Sequence, residues 1–166
     1  KFIMTTNLLG QVVMEEKLNI NGQTWDKVQY QYDYLGRLVK TSEPYNTNNP
    51  TLWNTTEYND YGQIKKISEA SGKETTYNYI KETNGFRVSV NDGIKVVHSL
   101  TNANGHILES TDSGGVITYT YFADGNLKTS SYEGNTQSIT YDDWGRKIQL
   151  TDPSAGVYKY KYNAYG

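Results

Sequence analysis

The sequence predicts an all-β fold, a repeat array of antiparallel β-hairpins forming an open sheet. Three observations carry that prediction. A glycine recurs along the chain at Gly10, Gly36, Gly62, Gly85, Gly105, Gly125, Gly145 and Gly166, in steps of 26, 26, 23, 20, 20, 20 and 21 residues, and a fixed period in that range marks a repeat architecture. The segments between these glycines alternate with period two: Ile117, Tyr119 and Tyr121 face one way, and Val116, Thr118 and Thr120 the other. No window sets apolar residues at three-and-four spacing behind a cap, so no helix longer than about two turns is expected.

Each element has a local reason. Three residues before the register glycine stands Asn7, Asp33, Asn59, Asn102, Asp142 or Asn163, with Glu82 and Phe122 as exceptions. An Asp or Asn side chain bonds the backbone two residues on and closes a turn, and the glycine supplies the positive φ the turn needs. Two residues after the glycine comes Val12, Leu38, Ile64, Ile107 or Leu127, with Arg87 and Lys147 departing from the pattern. That branched side chain starts a strand. The stretch Leu9 to Leu18, with Val12, Val13 and Met14, is accordingly a strand. Second turns separate the strands at Asn21-Gly22, Ser71-Gly72, Gly114-Gly115, Glu133-Gly134-Asn135 and Ser154-Ala155-Gly156. Tyr45-Asn46-Thr47-Asn48-Asn49-Pro50 lengthens one connection as an exposed loop. Phe86 to Val97 departs from the consensus yet carries an Asp92-Gly93 hairpin signal between two β-prone runs. Tyr158, Tyr160 and Tyr162 alternate with Lys159 and Lys161 as one more strand. The half-copy Tyr162 to Gly166 stops on a turn glycine, so the chain, 1–166, is expected to be a fragment of a longer protein, with about six to seven repeats of 20–26 residues.

Composition agrees. Only 36% of residues are hydrophobic and the mean hydropathy is −0.75, yet there are 16 Tyr against 3 Phe and 3 Trp. Disordered chains are poor in aromatics. Tyrosine buries its ring while its hydroxyl stays wet or finds a partner, which suits a thin structure whose core lies close to water. The 16 basic and 18 acidic residues are scattered, leaving a net charge of −2, so no basic stripe points to nucleic acid. The absence of Cys excludes disulfides and thiolate metal sites. No apolar run approaches the roughly 20 residues of a membrane span.

The string Tyr30-Gln31-Tyr32-Asp33-Tyr34-Leu35-Gly36-Arg37-Leu38 and its counterpart Thr140-Tyr141-Asp142-Asp143-Trp144-Gly145-Arg146 resemble the YD repeat of the Rhs (rearrangement hot spot) family. Thr151-Asp152-Pro153-Ser154-Ala155-Gly156-Val157 matches that repeat's usual connection. Other copies replace the arginine by Gln11, Gln63, His106 or Asn126, and the aspartate by Asn7, Asn59, Asn102 or Asn163. The resemblance implies a curved or spiral sheet that grows by adding repeats. In bacterial members such sheets form shells around a carried polypeptide, often a toxin, and in the related animal teneurins the shell belongs to an adhesion protein. The expected partners are then the rest of the same polypeptide, namely further repeats and a carried C-terminal domain, and the expected location is secreted or at the bacterial cell surface. The family's shell-closing, autoproteolytic motif is not reached, so no catalytic residue carries over.

The candidate site residues are therefore structural: the repeat turns of Asn7, Gly10, Asp33, Gly36, Arg37, Asn59, Gly62, Asn102, Gly105, Gly125, Asp142, Gly145 and Arg146. His106 fills the turn position held elsewhere by Arg37 and Arg146, and His98 belongs to a strand. Neither has a second ligand at metal spacing, and no cofactor is expected. Glycosidase chemistry needs two carboxylates held across a cleft, whereas Asp33 and Asp142 are accounted for by their turns. No enzyme is expected. Trp25, Trp53 and Trp144 fall outside the tyrosine ladder and are the candidate glycan contacts of an alternative reading, a surface adhesion module. Unpaired sheet edges further predict edge-to-edge self-association.

Overall fold

A computed structural model describes residues 1–163 and Tyr165. Ala164 and the register glycine Gly166 lie outside the described residues. The chain divides into two compact units, Lys1–Tyr77 and Asn78–Gly166. The first holds β1 (Phe2–Thr6), β2 (Val12–Leu18), β3 (Trp25–Tyr32), β4 (Leu38–Ser42), β5 (Trp53–Tyr58) and β6 (Ile64–Ser68). Strand β7 (Glu74–Glu82) begins there and ends in the second. The second unit continues with β8 (Gly85–Asn91), β9 (Val96–Thr101), β10 (Ile107–Asp112), β11 (Gly115–Tyr121), β12 (Leu127–Tyr132), β13 (Asn135–Tyr141), β14 (Lys147–Asp152) and β15 (Gly156–Lys159).

The fold is an all-β array of antiparallel hairpins. Strand order follows chain order from β1 to β15, an open order with no crossover, and no helix occurs among the described residues. Among the described residues, contacts between strands run only between sequence neighbours, so no second layer forms in either unit there. Leu100 is the one buried hydrophobic side chain among the described residues, at 7% exposure. Stability must therefore come from the hydrogen-bonded ladder and half-buried rings on each face rather than from a core.

Expected strand starts hold at Val12, Leu38, Ile64, Ile107 and Leu127, and Lys147 also opens a strand although it is not branched. In each unit the register turns lie along one end of the hairpins and the second turns along the other. Three readings are refined. The connection from 45 to 50 is anchored at its start, because Tyr45 exchanges two backbone hydrogen bonds with Lys27, at 2.8 and 3.0 Å. The Asp92-Gly93 signal yields a four-residue loop, with Asn91 opposite Val96. The last strand ends at Lys159 rather than Tyr162. It has a paired neighbour on one side only, and Tyr158, Tyr160 and Tyr162 are 47%, 37% and 39% exposed.

Candidate functional site: the register turns

Six register turns share one construction. The N–H of the residue three before the glycine donates to the carbonyl of the residue after it, and that first residue's carbonyl accepts from the glycine N–H. At Asn7–Gln11 these distances are 2.9 and 3.0 Å, and the same pair recurs at Asp33–Arg37, Asn59–Gln63, Asn102–His106, Phe122–Asn126 and Asp142–Arg146. The glycine takes φ between 75° and 90° in all six, a conformation that glycine adopts without a Cβ penalty. The Asp or Asn Oδ1 then accepts two more backbone N–H groups: Asp33 from Leu35 and Arg37, Asp142 from Trp144 and Arg146, Asn59 from Tyr61 and Gln63.

The exception at Phe122 is repaired within the same turn. Asp124, two residues on, accepts the Asn126 N–H at 3.0 Å and the Asn126 side-chain amide at 2.9 Å. The sequence pattern missed Asp124 because it fixed the acid at one position, whereas the turn needs an acceptor within reach of the Asn126 N–H. Gly85 is the other exception. It stands at the same end of its hairpin as the other register turns, but Thr83-Asn84 form a two-residue turn and Gly85 opens β8 at φ 156°.

The side chains at the turn's two ends are matched in chemistry. Asp33 pairs with Arg37, whose Nε donates to Oδ2 at 2.7 Å, and Asp142 with Arg146 in the same geometry. At two turns the acid is replaced by an amide and so is its partner, Asn7 Nδ2 donating to Gln11 Oε1 and Asn59 Nδ2 to Gln63 Oε1, both at 2.9 Å, whereas Asn102 faces His106. Partial burial pushes the carboxyls of Asp33 and Asp142 up, but the backbone N–H and guanidinium donors outweigh it and hold both below the usual carboxylate range. These pairs predict a double-mutant cycle. Asp33→Asn alone and Arg37→Gln alone are each expected to lower the urea midpoint, while the double variant rebuilds the amide pair of the neighbouring turns and recovers at least half of the summed loss. Urea unfolding of the four proteins measures the coupling, and strict additivity would show the pairing to be incidental.

Within each unit, successive register turns are also bonded to one another. After the glycine, one extra residue always interrupts the ladder: Tyr32 pairs with Leu38 while Gln31 pairs with Lys40, leaving Val39 as a bulge. The same slip recurs opposite Thr6, Tyr58, Thr101, Tyr121 and Tyr141. The carbonyl that precedes the bulge residue accepts a hydroxyl from the following repeat. Tyr32 donates to Val12 O at 2.8 Å, Tyr58 to Leu38 O at 2.9 Å, Tyr121 to Ile107 O at 2.8 Å, Tyr141 to Leu127 O at 3.0 Å and Tyr162 to Lys147 O at 2.7 Å. The residue after the glycine reaches forward as well: Gln11 Nε2 donates to Gly36 O at 2.8 Å. Arg37 lies 4.4 Å over the Tyr58 ring, Arg146 4.7 Å over Tyr162, and His106 stacks 4.5 Å from Tyr121.

The predicted turn residues are thus brought together, repeat by repeat, into a ladder within each unit. The tryptophans are not. Trp25 and Trp53 are half-buried in β3 and β5, with Lys1 Nζ 5.9 Å from the Trp25 ring. Trp144 is 81% exposed on its turn, with Arg146 5.0 Å from its ring. His98 lies inside the second unit's sheet, its Nδ1 2.7 Å from Ser89 Oγ. Among the described residues no group of three or more potential ligands is placed to hold a metal ion, and no helix is long and apolar enough to cross a membrane.

Known structures share this architecture. The chain aligns over 95% of its length, at 14% identity and a TM-score of 0.67, with a chain of the Photorhabdus luminescens Tc holotoxin pore carrying a TccC3 substitution. The fold is Rhs-like. A chain of the TcdB2-TccC3-Cdc42 complex aligns over 95% at 14% identity and a TM-score of 0.66, and one of TcdB2-TccC3 over 92% at 13% and 0.51. The chain spans 9% of each of the first two proteins and 12% of the third, about a tenth of their length. No family model and no curated protein matches the sequence. The Rhs-like architecture is therefore shared through backbone geometry, with few identical side chains.

Proposed function

We propose that the chain is a scaffold segment of a secreted or cell-surface Rhs-like protein, building part of a β-wall that encloses or presents another polypeptide such as a toxin. The observation that carries this reading is the forward bonding of successive register turns within each unit. The tyrosine hydroxyls and the residues after the glycines are spent on the next repeat, so the array extends by addition and its polar groups serve the wall itself. The likeness to toxin-complex chains supports the same role. The test is made on the natural full-length polypeptide: electron microscopy is expected to show a hollow particle, and limited proteolysis a segment protected until the wall is cut. A solid or extended particle with every segment cleaved at equal rates overturns the proposal.

The alternative, a surface adhesion module, is favoured by one observation, the exposed Trp144 ring. Glycan-array binding by this chain that is lost in Trp144→Ala would put adhesion first.

A further inference from the structure

In the first unit the register turns use the side chains of their first residue and of the residue after the glycine. The two positions before the glycine there leave their side chains in water, whereas in the second unit Asp124 at such a position closes its turn. In the first unit these free positions hold Leu8 and Leu9, Tyr34 and Leu35, and Asp60 and Tyr61. The five apolar side chains are 106%, 80%, 93%, 60% and 90% exposed. In the second unit the same positions are Ala103 and Asn104, Ala123 and Asp124, and Asp143 before Trp144. Turn chemistry cannot be the reason for the leucines and tyrosines, since the same backbone turn forms with alanine, asparagine and aspartate in those places.

Successive register turns are two strands apart, about 10 Å, so the five side chains form one row along an edge of the first unit. Two tyrosines offer about 400 Å², and the leucines, two of them nearly bare and Leu35 more than half so, bring the row toward the about 800 Å² that each partner gives to a stable interface. An apolar row of that extent on a soluble surface marks an interaction site.

We infer that this row is a self-complementary docking surface that takes a second copy of the chain, turn edge against turn edge. A two-fold axis through the middle turn would set the Leu8-Leu9 turn of each copy against the Asp60-Tyr61 turn of the other, the same patch serving both copies. Charge sets its direction. Asp60 is the one charged side chain in the row. In a parallel dimer it would face its own copy, whereas in an antiparallel dimer it lies against the uncharged Leu8-Leu9 turn and the Tyr34-Leu35 turns meet at the axis. This contact differs from strand-edge pairing through β1 or β15, and it goes beyond the scaffold reading, which requires no dimer.

The chain has no cysteine, so single cysteines report the geometry directly. Under mild oxidation Leu35→Cys is expected to form a disulfide dimer. Leu9→Cys and Tyr61→Cys each stay monomeric alone and cross-link when mixed, and Asn104→Cys, at the same turn position in the second unit, does not cross-link. Sedimentation equilibrium of the unmodified chain is expected to show a dimer at about 50 μM. Its dissociation constant should rise at least about tenfold in the Leu9→Ser, Leu35→Ser, Tyr61→Ser triple variant, with the far-ultraviolet circular dichroism unchanged. A chain that is monomeric at that concentration, cross-linking no faster at Leu35→Cys than at Asn104→Cys, or a dimer indifferent to the triple variant but abolished by Thr5→Pro in β1, overturns the inference. So does lipid-vesicle or glycan binding by a monomer that the triple variant abolishes.

Discussion

Gly85→Ala is expected to destabilise the second unit by about 3–5 kcal/mol, while Gly93→Ala, only eight residues away in the sequence, costs about 1 kcal/mol. Both glycines have positive φ, at 156° and 84°, so backbone preference alone does not separate them. Their surroundings do. A Cβ on Gly93 would meet nothing within 4 Å. A Cβ on Gly85 would lie 2.0 Å from the Thr101 carbonyl oxygen and 3.0 Å from the Asn102 Cα. Those atoms are backbone, and they belong to the end of β9 and the start of the register turn closed by Asn102. Relief of the clash would require β8 and β9 to move apart, breaking the pairing of Phe86 with Thr101. Urea unfolding measures the two losses, and hydrogen exchange locates the first, with protection lost at the Asn102 and His106 amides that close this turn. Equal losses at the two glycines would mean that the close approach carries no energetic weight.

Gly85 also shows where the sequence stops being legible. The glycine register placed it at the correct end of its hairpin, because the step between register turns is set by strand length, which the chain keeps even in its degenerate repeat. The type of turn was not legible there. There Thr83-Asn84 close a shorter turn and Gly85 is already the first residue of β8, although Asn84 stands where Asp124 closes the Phe122 turn. The bulges were illegible for a different reason. An extra residue three places after the glycine leaves the spacing of the glycines unchanged, so Val13, Val39 and Lys128 look like ordinary strand residues. The tyrosine of the repeat was legible as a ring. Its hydroxyl bond to Val12, Leu38 or Ile107 O depends on the bulge and stayed hidden with it. Exposure of the tryptophans, too, depends on which strand face or turn tip they occupy, and only Trp144 lies on a tip.

The most buried hydrophobic side chain among the described residues depends on a pattern no repeat predicts. Leu100 in β9 lies directly between Arg87 in β8 and Glu109 in β10. Arg87 Nη1 donates to Glu109 Oε1 at 2.7 Å, and its Nε to Glu82 Oε1 at 2.5 Å. The guanidinium therefore spans β9 and covers the leucine, and it rebuilds with Glu82 the acid–arginine pair that Asp33 and Asp142 make with their own arginines. In a one-layer sheet such an ion pair does the work of a second layer. Leu100→Ala is expected to cost about 2–4 kcal/mol. Arg87→Met should cost less than the sum of its parts suggests, since a methionine stem still shields Leu100, and the two changes together should be less than additive because each removes part of one contact. Proton linkage separates the polar part from the apolar one. The Arg87 hydrogen bond, opposed by partial desolvation and aided by Thr111 and His98, holds the Glu109 carboxyl below its usual range. A depressed folded-state pKa contributes stability that is present above the unfolded value, near 4.3, and is lost as pH falls through the folded one. Between pH 6 and pH 3 the unmodified chain should therefore lose more stability than Arg87→Met, whose Glu109 no longer has that partner, while Leu100→Ala should keep the full acid slope. Chemical unfolding at the two pH values provides the measurement, and an Arg87→Met slope as steep as that of the unmodified chain would show that the bridge over Leu100 is not the source of the acid sensitivity.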